Sequence, residues 1–208
     1  ATVSAIDRAA RQVKLASGES IAYGKLILCT GGRARRLAIP GADLPGVFTL
    51  RNIDDARSLG AALQPGRHLL VVGGGWIGLE VAATARKKGL DVTLVEAATR
   101  LCERTVPPEI SDYLLQLHRS HGVQVHLGTG IESFAPSQHG LLAMLGNGQQ
   151  VECSAALVGV GLVPNDELAR AAGLDCDGGV LVDAQCRSSD PDILAAGDVA
   201  SWHCRWAG

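Results

Sequence analysis

Aromatic side chains are scarce in this 208-residue chain: phenylalanine, tryptophan and tyrosine together make up 3%. A platform on which single-stranded nucleic acid stacks needs a supply of such rings, so that class is disfavoured. Charge of one sign is missing too, with 19 basic against 21 acidic side chains and a formal charge of -2. Nucleic-acid binders usually carry a strongly basic face, and disordered chains combine high net charge with low hydropathy. At 47% apolar residues the chain fits neither description. No apolar run approaches the ~20 residues that a membrane helix needs. Residues 1–11 lack the charged, apolar and cleavage regions of a signal peptide. Zinc frameworks and CxxC pairs are absent as well. The six cysteines, at 29, 102, 153, 176, 186 and 204, are widely and irregularly spaced. They are expected to be buried, reduced thiols in a cytoplasmic protein. His118 and His121 share a predicted solvated helix, and His68, His126, His139 and His203 show no ligand spacing, so no metal site is expected. No Gly-x-Ser-x-Gly elbow supports hydrolase chemistry.

What is present is a chain long enough for one large domain or two small ones. Residues 3–6, 12–15 and 20–22 read as short strands, and 25–29 as an apolar strand ending in Thr30-Gly31-Gly32. Pro and Gly at both ends of 40–46 mark a linker and a domain boundary. A helix is predicted over 54–63, with two acids in its first turn. Residues 68–72 then read as a buried strand, 73–78 as a glycine-rich turn, and the following stretch as a helix stopped by Gly89. With a second strand at 91–96, residues 68–96 form one βαβ unit, the mark of an α/β fold. Pro107-Pro108 opens another helix, with Ile110, Leu114 and Leu117 spaced for one buried face. Beyond it, Val123, Val125 and Leu127 alternate, and 141–145 leads into the hairpin signal Asn147-Gly148. Residues 155–160 form an apolar strand, followed by a short helix at 166–172 and extended segments at 180–182 and 193–196.

The stretch after the first buried strand carries the chemistry. Gly73, Gly75 and Gly78 form GxGxxG around Trp76 and Ile77, placed between a strand and a helix. The first glycine permits a tight turn, the second lets the backbone approach a pyrophosphate, and the third lets helix and strand pack closely. Helix N-terminal amides and the dipole then attract the phosphates. Glu96 ends the second strand 21 residues after Gly75, where a carboxylate accepts hydrogen bonds from a ribose 2′-hydroxyl. It also repels a 2′-phosphate, which favours NAD(H), although Arg100 nearby is a candidate to receive that phosphate.

From Gly73 to Ala85 the sequence Gly-Gly-Gly-Trp-Ile-Gly-Leu-Glu-Val-Ala-Ala-Thr-Ala resembles the NAD-binding segment of FAD-dependent ferredoxin reductases, in the pyridine nucleotide-disulfide oxidoreductase superfamily. These flavoproteins feed putidaredoxin-like and Rieske-type ferredoxins in bacterial oxygenase systems. The likeness runs over nearly the whole chain. Cys29-Thr30-Gly31-Gly32-Arg33 resembles the family's "ATG" turn, and 49–56 its TLRxxxDA segment, whose Arg lies against the flavin. Residues 159–165 resemble its GIGxxPN segment beside the nicotinamide, and 188–198 its second flavin motif. The resemblance implies that Thr30, Gly31, Arg51, Gly197 and Asp198 bind FAD and that Gly161 lies at the nicotinamide. Without it, Gly197-Asp198 would read as a plain turn. Glu80 has two readings: a carboxylate stabilising the first turn of its helix, or, by the resemblance, a catalytic-site residue that orients the nicotinamide. Arg33, Arg35 and Arg36 are either a solvated loop or a contact for phosphate or an acidic ferredoxin.

The fold implied is a Rossmann-like three-layer NAD-binding domain, parallel sheet plus β-meander, over 33–158, with 1–32 and 159–208 as parts of a FAD-binding domain. The family's N-terminal FAD fingerprint and C-terminal interface domain have no counterpart in these residues. The chain is therefore expected to be a central portion that holds FAD weakly or not at all by itself and does not catalyse alone. The parent would pass a hydride from NADH to FAD and then electrons to a ferredoxin-type iron–sulfur protein. The alternatives are an NADH oxidase, a disulfide reductase or nitrite reductase flavodomain, or a redox-dead NAD-binding module. Thioredoxin-reductase-like enzymes are disfavoured, because their CxxC would fall in 32–72, which contains no Cys.

Overall fold

The run His-Leu-Leu-Val-Val at 68–72 shows no polar alternation, the pattern of a parallel strand buried on both faces. In the computed structural model, which describes residues 1–203, it is the middle strand of a five-stranded sheet. The strand order is Val47–Phe48, Ala155–Val158, His68–Val72, Asp91–Glu96, Val123–Leu127, and every pairing is parallel. Successive side chains leave a strand on opposite faces. Leu69 and Val71 share a core with Leu59 of the Ile53–Ala62 helix and with Leu79, Ala82 and Ala85 of the Trp76–Lys87 helix. Leu70 and Val72 instead meet Phe134, Leu141, Ala143 and Leu145. Those residues belong to an antiparallel meander, Ile131–Ser137, Gly140–Leu145 and Gln150–Cys153. Helices, parallel sheet and meander make three layers and two cores, the α/β arrangement expected. At ~1.5–3 kcal/mol for each large side chain buried, the wholly buried Leu69, Leu70 and Val71 anchor both.

These layers form one compact unit, Ala34–Gly161. Its helices start and stop for local reasons. Asn52 accepts from the backbone amides of Asp54 and Asp55 while Asp55 accepts from Asn52, a capping box that opens the Ile53–Ala62 helix. Gly89, at φ +82°, closes the Trp76–Lys87 helix after Arg86 and Lys87.

Two expectations fail within this unit. The Pro108–Ser120 helix buries only part of the Ile110–Leu114–Leu117 face: Leu114 packs against the core, but Ile110 and Leu117 are exposed, and Ser111 and His118 are the buried residues. The face is turned by one residue because Ser111 Oγ donates to Leu101 O at 2.6 Å and accepts from Arg100 Nη1 at 2.9 Å. His118 is accordingly a core histidine and not a solvated one. The 40–46 segment is not a boundary either. Phe134 N donates to Pro40 O at 2.9 Å, and a Cβ on Gly41 would stand 2.0 Å from Phe134 O. The boundaries fall instead at 33/34 and 161/162.

The second unit comprises Ala1–Arg33 and the chain from Leu162 onward. It holds the antiparallel meander Val3–Asp7, Gln12–Leu15, Ser20–Ala22 and two parallel pairs, Leu26–Leu28 with Ile193–Ala195 and Val180–Leu181 with Ala200–Ser201. Ile6, Leu28, Val180, Ile193, Ala195 and Val199 form its core. Ion pairs join its distant parts: Arg8 Nε to Asp190 at 2.9 Å, and Arg11 and Lys25 both to Asp192. Arg8 also donates to the carbonyls of Ala172 and Gly173.

Candidate functional site

In the Ala34–Gly161 unit the candidates converge at the carboxyl ends of three neighbouring parallel strands, where open α/β sheets bind ligands. His68–Val72 runs into Gly73, whose φ of +109° suits glycine and whose amide donates to Val95 O at 2.8 Å. A Cβ on Gly73 would stand 2.4 Å from Gly159 O, so the turn after Ala155–Val158 lies directly against it. On Gly78 a Cβ would stand 2.0 Å from Gly73 O, which fixes the third glycine by close packing. Gly75 differs: nothing lies within 4 Å of where its Cβ would be. It is the N-cap of the Trp76–Lys87 helix and offers no side chain to the first-turn amides. Trp76 and Ile77 are each 48% exposed on that first turn. A bare helix N-terminus beside a glycine with open space fits a pyrophosphate.

Glu96 comes to the same place. Its Oε2 accepts from the Gly74 amide at 2.6 Å and its Oε1 from the Ala98 amide at 2.7 Å, which fixes a half-buried carboxylate at the turn. Gly161, at φ +107°, ends the segment that follows Gly159, and its carbonyl accepts from the Arg35 amide. Glu80 is the fifth residue of its helix, outside the first turn, so the capping reading loses its basis. It is exposed, with no hydrogen bond or ion pair among the described residues. Arg51 stands just before the Asn52 cap, exposed, with its amide donating to Asp55 Oδ2 at 2.8 Å.

The remaining candidates lie in the other unit, at the ends of one strand pair. Leu26–Leu28 leads to Thr30-Gly31, and its parallel partner Ile193–Ala195 leads to Gly197-Asp198. Ala196 N donates to Leu28 O at 3.0 Å, which carries the pairing one step toward both turns. Asn165 then staples the first turn. Its amide donates to Gly31 O, its Nδ2 to Thr30 O, and its carbonyl accepts from Thr30 Oγ1 at 2.6 Å. Arg33 pairs with Asn165 Oδ1 and with Glu167, whose carboxyl is held below the usual range by a backbone hydrogen bond and by Arg33.

Three residues escaped the sequence reading. Gly74 is required because a Cβ there would stand 2.6 Å from Leu101 Cδ2 and 3.2 Å from the Glu96 carboxylate. Cys102 N donates to Gly74 O at 3.0 Å, so the loop after Glu96 is tied to the turn. Ser111 is 1% exposed and links that loop to a helix. The doubled glycine at 73–74 was a visible signal for the first; nothing in the spacing marked the other two.

The cysteines are less uniformly buried than expected. Cys102 and Cys153 are buried, Cys176 is half-buried, and Cys29 and Cys186 are exposed; all five are free thiols, and Cys204 lies outside the described residues. Burial pushes the Cys153 thiol up to about 11 and raises that of Cys102. Both are poor nucleophiles at neutral pH. Among the described residues, no group of three or more His, Cys, Asp or Glu is placed to hold a metal ion. No helix among them is long and apolar enough to cross a membrane.

Residues 1–207 match the pyridine nucleotide-disulphide oxidoreductase family. The chain is 44% identical over 206 residues to the biphenyl dioxygenase system ferredoxin–NAD(+) reductase component of Paraburkholderia xenovorans, covering 99% of this chain and 50% of that protein. Among solved structures, it is similar to the ferredoxin reductase for the CYP199A2 system from Rhodopseudomonas palustris. The TM-score is 0.92 at 42% identity, over 98% of this chain and 51% of that one. It is also similar to the covalent putidaredoxin reductase–putidaredoxin complex, with a TM-score of 0.91 at 38% identity, over 98% of this chain and 50% of that one. The chain thus spans about half the length of the curated relatives it matches.

Proposed function

The chain belongs to the pyridine nucleotide-disulphide oxidoreductase family, and on that premise we propose that it is the dinucleotide-binding body of a ferredoxin reductase. In this reading 33–158 binds NAD(H), and 1–32 with 159–208 contributes part of a FAD site. The electrons leave for a ferredoxin-type iron–sulfur protein, in a reducing cytoplasm that suits the free thiols. The observation that carries the reading is the open Gly75 at a helix N-terminus, beside a Glu96 carboxylate anchored 2.6 Å from the Gly74 amide.

Each residue then has a task. The first-turn amides at Trp76, Ile77 and Gly78 offset the charge of the pyrophosphate. Glu96, already oriented by two backbone amides, accepts from the ribose hydroxyls and opposes a 2′-phosphate. Glu80, exposed and unpaired one turn into the helix, orients the nicotinamide, and Gly161 leaves space beside it. This is positioning and not acid–base chemistry. Thr30, Gly31, Gly197 and Asp198 hold the flavin. The Gly197 turn fits such a group, since φ is +75° and nothing lies within 4 Å of where a Cβ would be. FAD, when bound, supplies a two-electron acceptor that releases electrons singly.

Calorimetric titration of the chain with NADH and then NADPH tests the nucleotide site. The expected result is NADH binding with much weaker NADPH binding; binding of neither refutes the site. A full-length parent that holds flavin and is bleached by NADH supports the reductase. A parent that binds NADH but never flavin replaces it with an NAD-binding module.

A further inference from the structure

Arg100 lies four residues after Glu96, on the loop that follows the Asp91–Glu96 strand. A guanidinium there is the natural counter-ion for a 2′-phosphate, because its planar donors match phosphate oxygens. The fold directs it elsewhere. Arg100 Nη1 donates to Val106 O at 2.7 Å and to Ser111 Oγ at 2.9 Å, which uses both of its hydrogens. Nη2 donates to Glu103 O at 2.6 Å, and Nε stands 3.9 Å from the Glu103 carboxylate. Ser111 is fixed in turn. It is 1% exposed, and its hydroxyl donates to Leu101 O at 2.6 Å, leaving its lone pairs for Arg100. Leu101 is the wholly buried side chain that packs against Gly74, and Cys102 N donates to Gly74 O.

We propose that Ser111 is a specificity-positioning residue. With the Val106 and Glu103 carbonyls it latches Arg100 away from the ribose end of the site, so that Glu96 meets the nucleotide without an opposing cation. Discrimination against NADPH then has two parts: the carboxylate that repels the phosphate and the latch that withholds the guanidinium. The inference rests on the reading of Gly73–Gly78 and Glu96 as the dinucleotide site.

The test is the ratio of NADPH to NADH affinity, measured by calorimetry on the 208-residue chain and its variants. Ser111→Ala removes one tether and frees an Nη1 hydrogen. It is expected to raise the ratio about tenfold, the size of one new charge-assisted hydrogen bond. Ser111→Thr keeps the hydroxyl and is expected to keep the original ratio. The double variant Ser111→Ala with Arg100→Gln is expected to return to it. A ratio unmoved by Ser111→Ala overturns the latch. Should Ser111→Ala not fold, Arg100→Gln alone decides. A latched arginine contributes nothing to NADPH binding, so the ratio stays; a selective fall in NADPH affinity shows that Arg100 already reaches the phosphate, which overturns the proposal. A wild-type chain that binds neither nucleotide defeats the site itself and the latch with it. One that binds NADH with an unmoved Ser111→Ala ratio defeats the latch alone.

Discussion

Gly75 and Gly78 are the same residue for opposite reasons. The space beside Gly78 is filled by the Gly73 carbonyl, which cannot move without breaking the turn. Gly78→Ala is expected to lower stability by roughly 1–3 kcal/mol, the usual penalty of overpacking, seen as an earlier urea midpoint. Gly75→Ala meets no neighbour, and its φ of -81° and ψ of 179° suit any residue. It is expected to cost at most about 1 kcal/mol as a poorer cap, yet to weaken NADH binding by tenfold or more. Equal NADH affinity in Gly75→Ala and wild type would mean that no pyrophosphate approaches there. Sequence spacing picked out both glycines, and the close packing expected at Gly78 is what the turn shows, because a turn is a local object. It missed what holds Gly74 in place, because Glu96 arrives from another strand and Leu101 and Cys102 from the loop beyond it. Such contacts have no signature in spacing.

The Pro108–Ser120 helix shows where periodicity misleads. Apolar residues at 110, 114 and 117 define one stripe, but two polar anchors on Ser111 decide which face turns inward. Ile110→Lys is therefore expected to change stability by no more than about 0.5 kcal/mol, as for ordinary surface substitutions; a large loss in urea unfolding would restore the apolar stripe as the buried face. His118 occupies the position that the stripe would have left outside. Burial, with the nearby His121 adding to it, holds its imidazole below the ordinary value of 6.5. The folded state thus resists a proton that the unfolded chain accepts. Stability is full above pH 6.5 and is lost as pH falls toward the folded value. His118→Leu is expected to flatten that limb between pH 7 and 5, judged by urea midpoints of variant and wild type; an unchanged slope would place the sensitivity elsewhere. The βαβ core, by contrast, was legible in full. Strands buried on both faces and a helix ended by Gly89 leave one reading each.

At the scale of the molecule, the two units have separate cores. The chain is expected to melt in two calorimetric transitions, and NADH to raise only the one that belongs to 34–161; a single transition shifted as a whole would show the units to be coupled. Residues 34–161 expressed alone are expected to fold and keep NADH affinity, since every contact of the turn described above lies within them. The boundary expected at 40–46 fails because Pro-Gly composition marks a change of direction, and there that change is a packed bend against Phe134. One hydrogen bond has a kinetic consequence. The Arg35 amide donates to Gly161 O at 3.0 Å, so the inserted unit begins and ends at the same point. Leu26–Leu28 must find Ile193–Ala195 across that whole insert. While the insert is a coil, the search closes a long loop, and each doubling of its length adds about 0.6 kcal/mol of entropy. Once the insert has folded, its joined ends act as a clasp, and the strands meet across a much shorter effective loop. The middle of the chain is thus the natural first folder, and its two flanks wait on it.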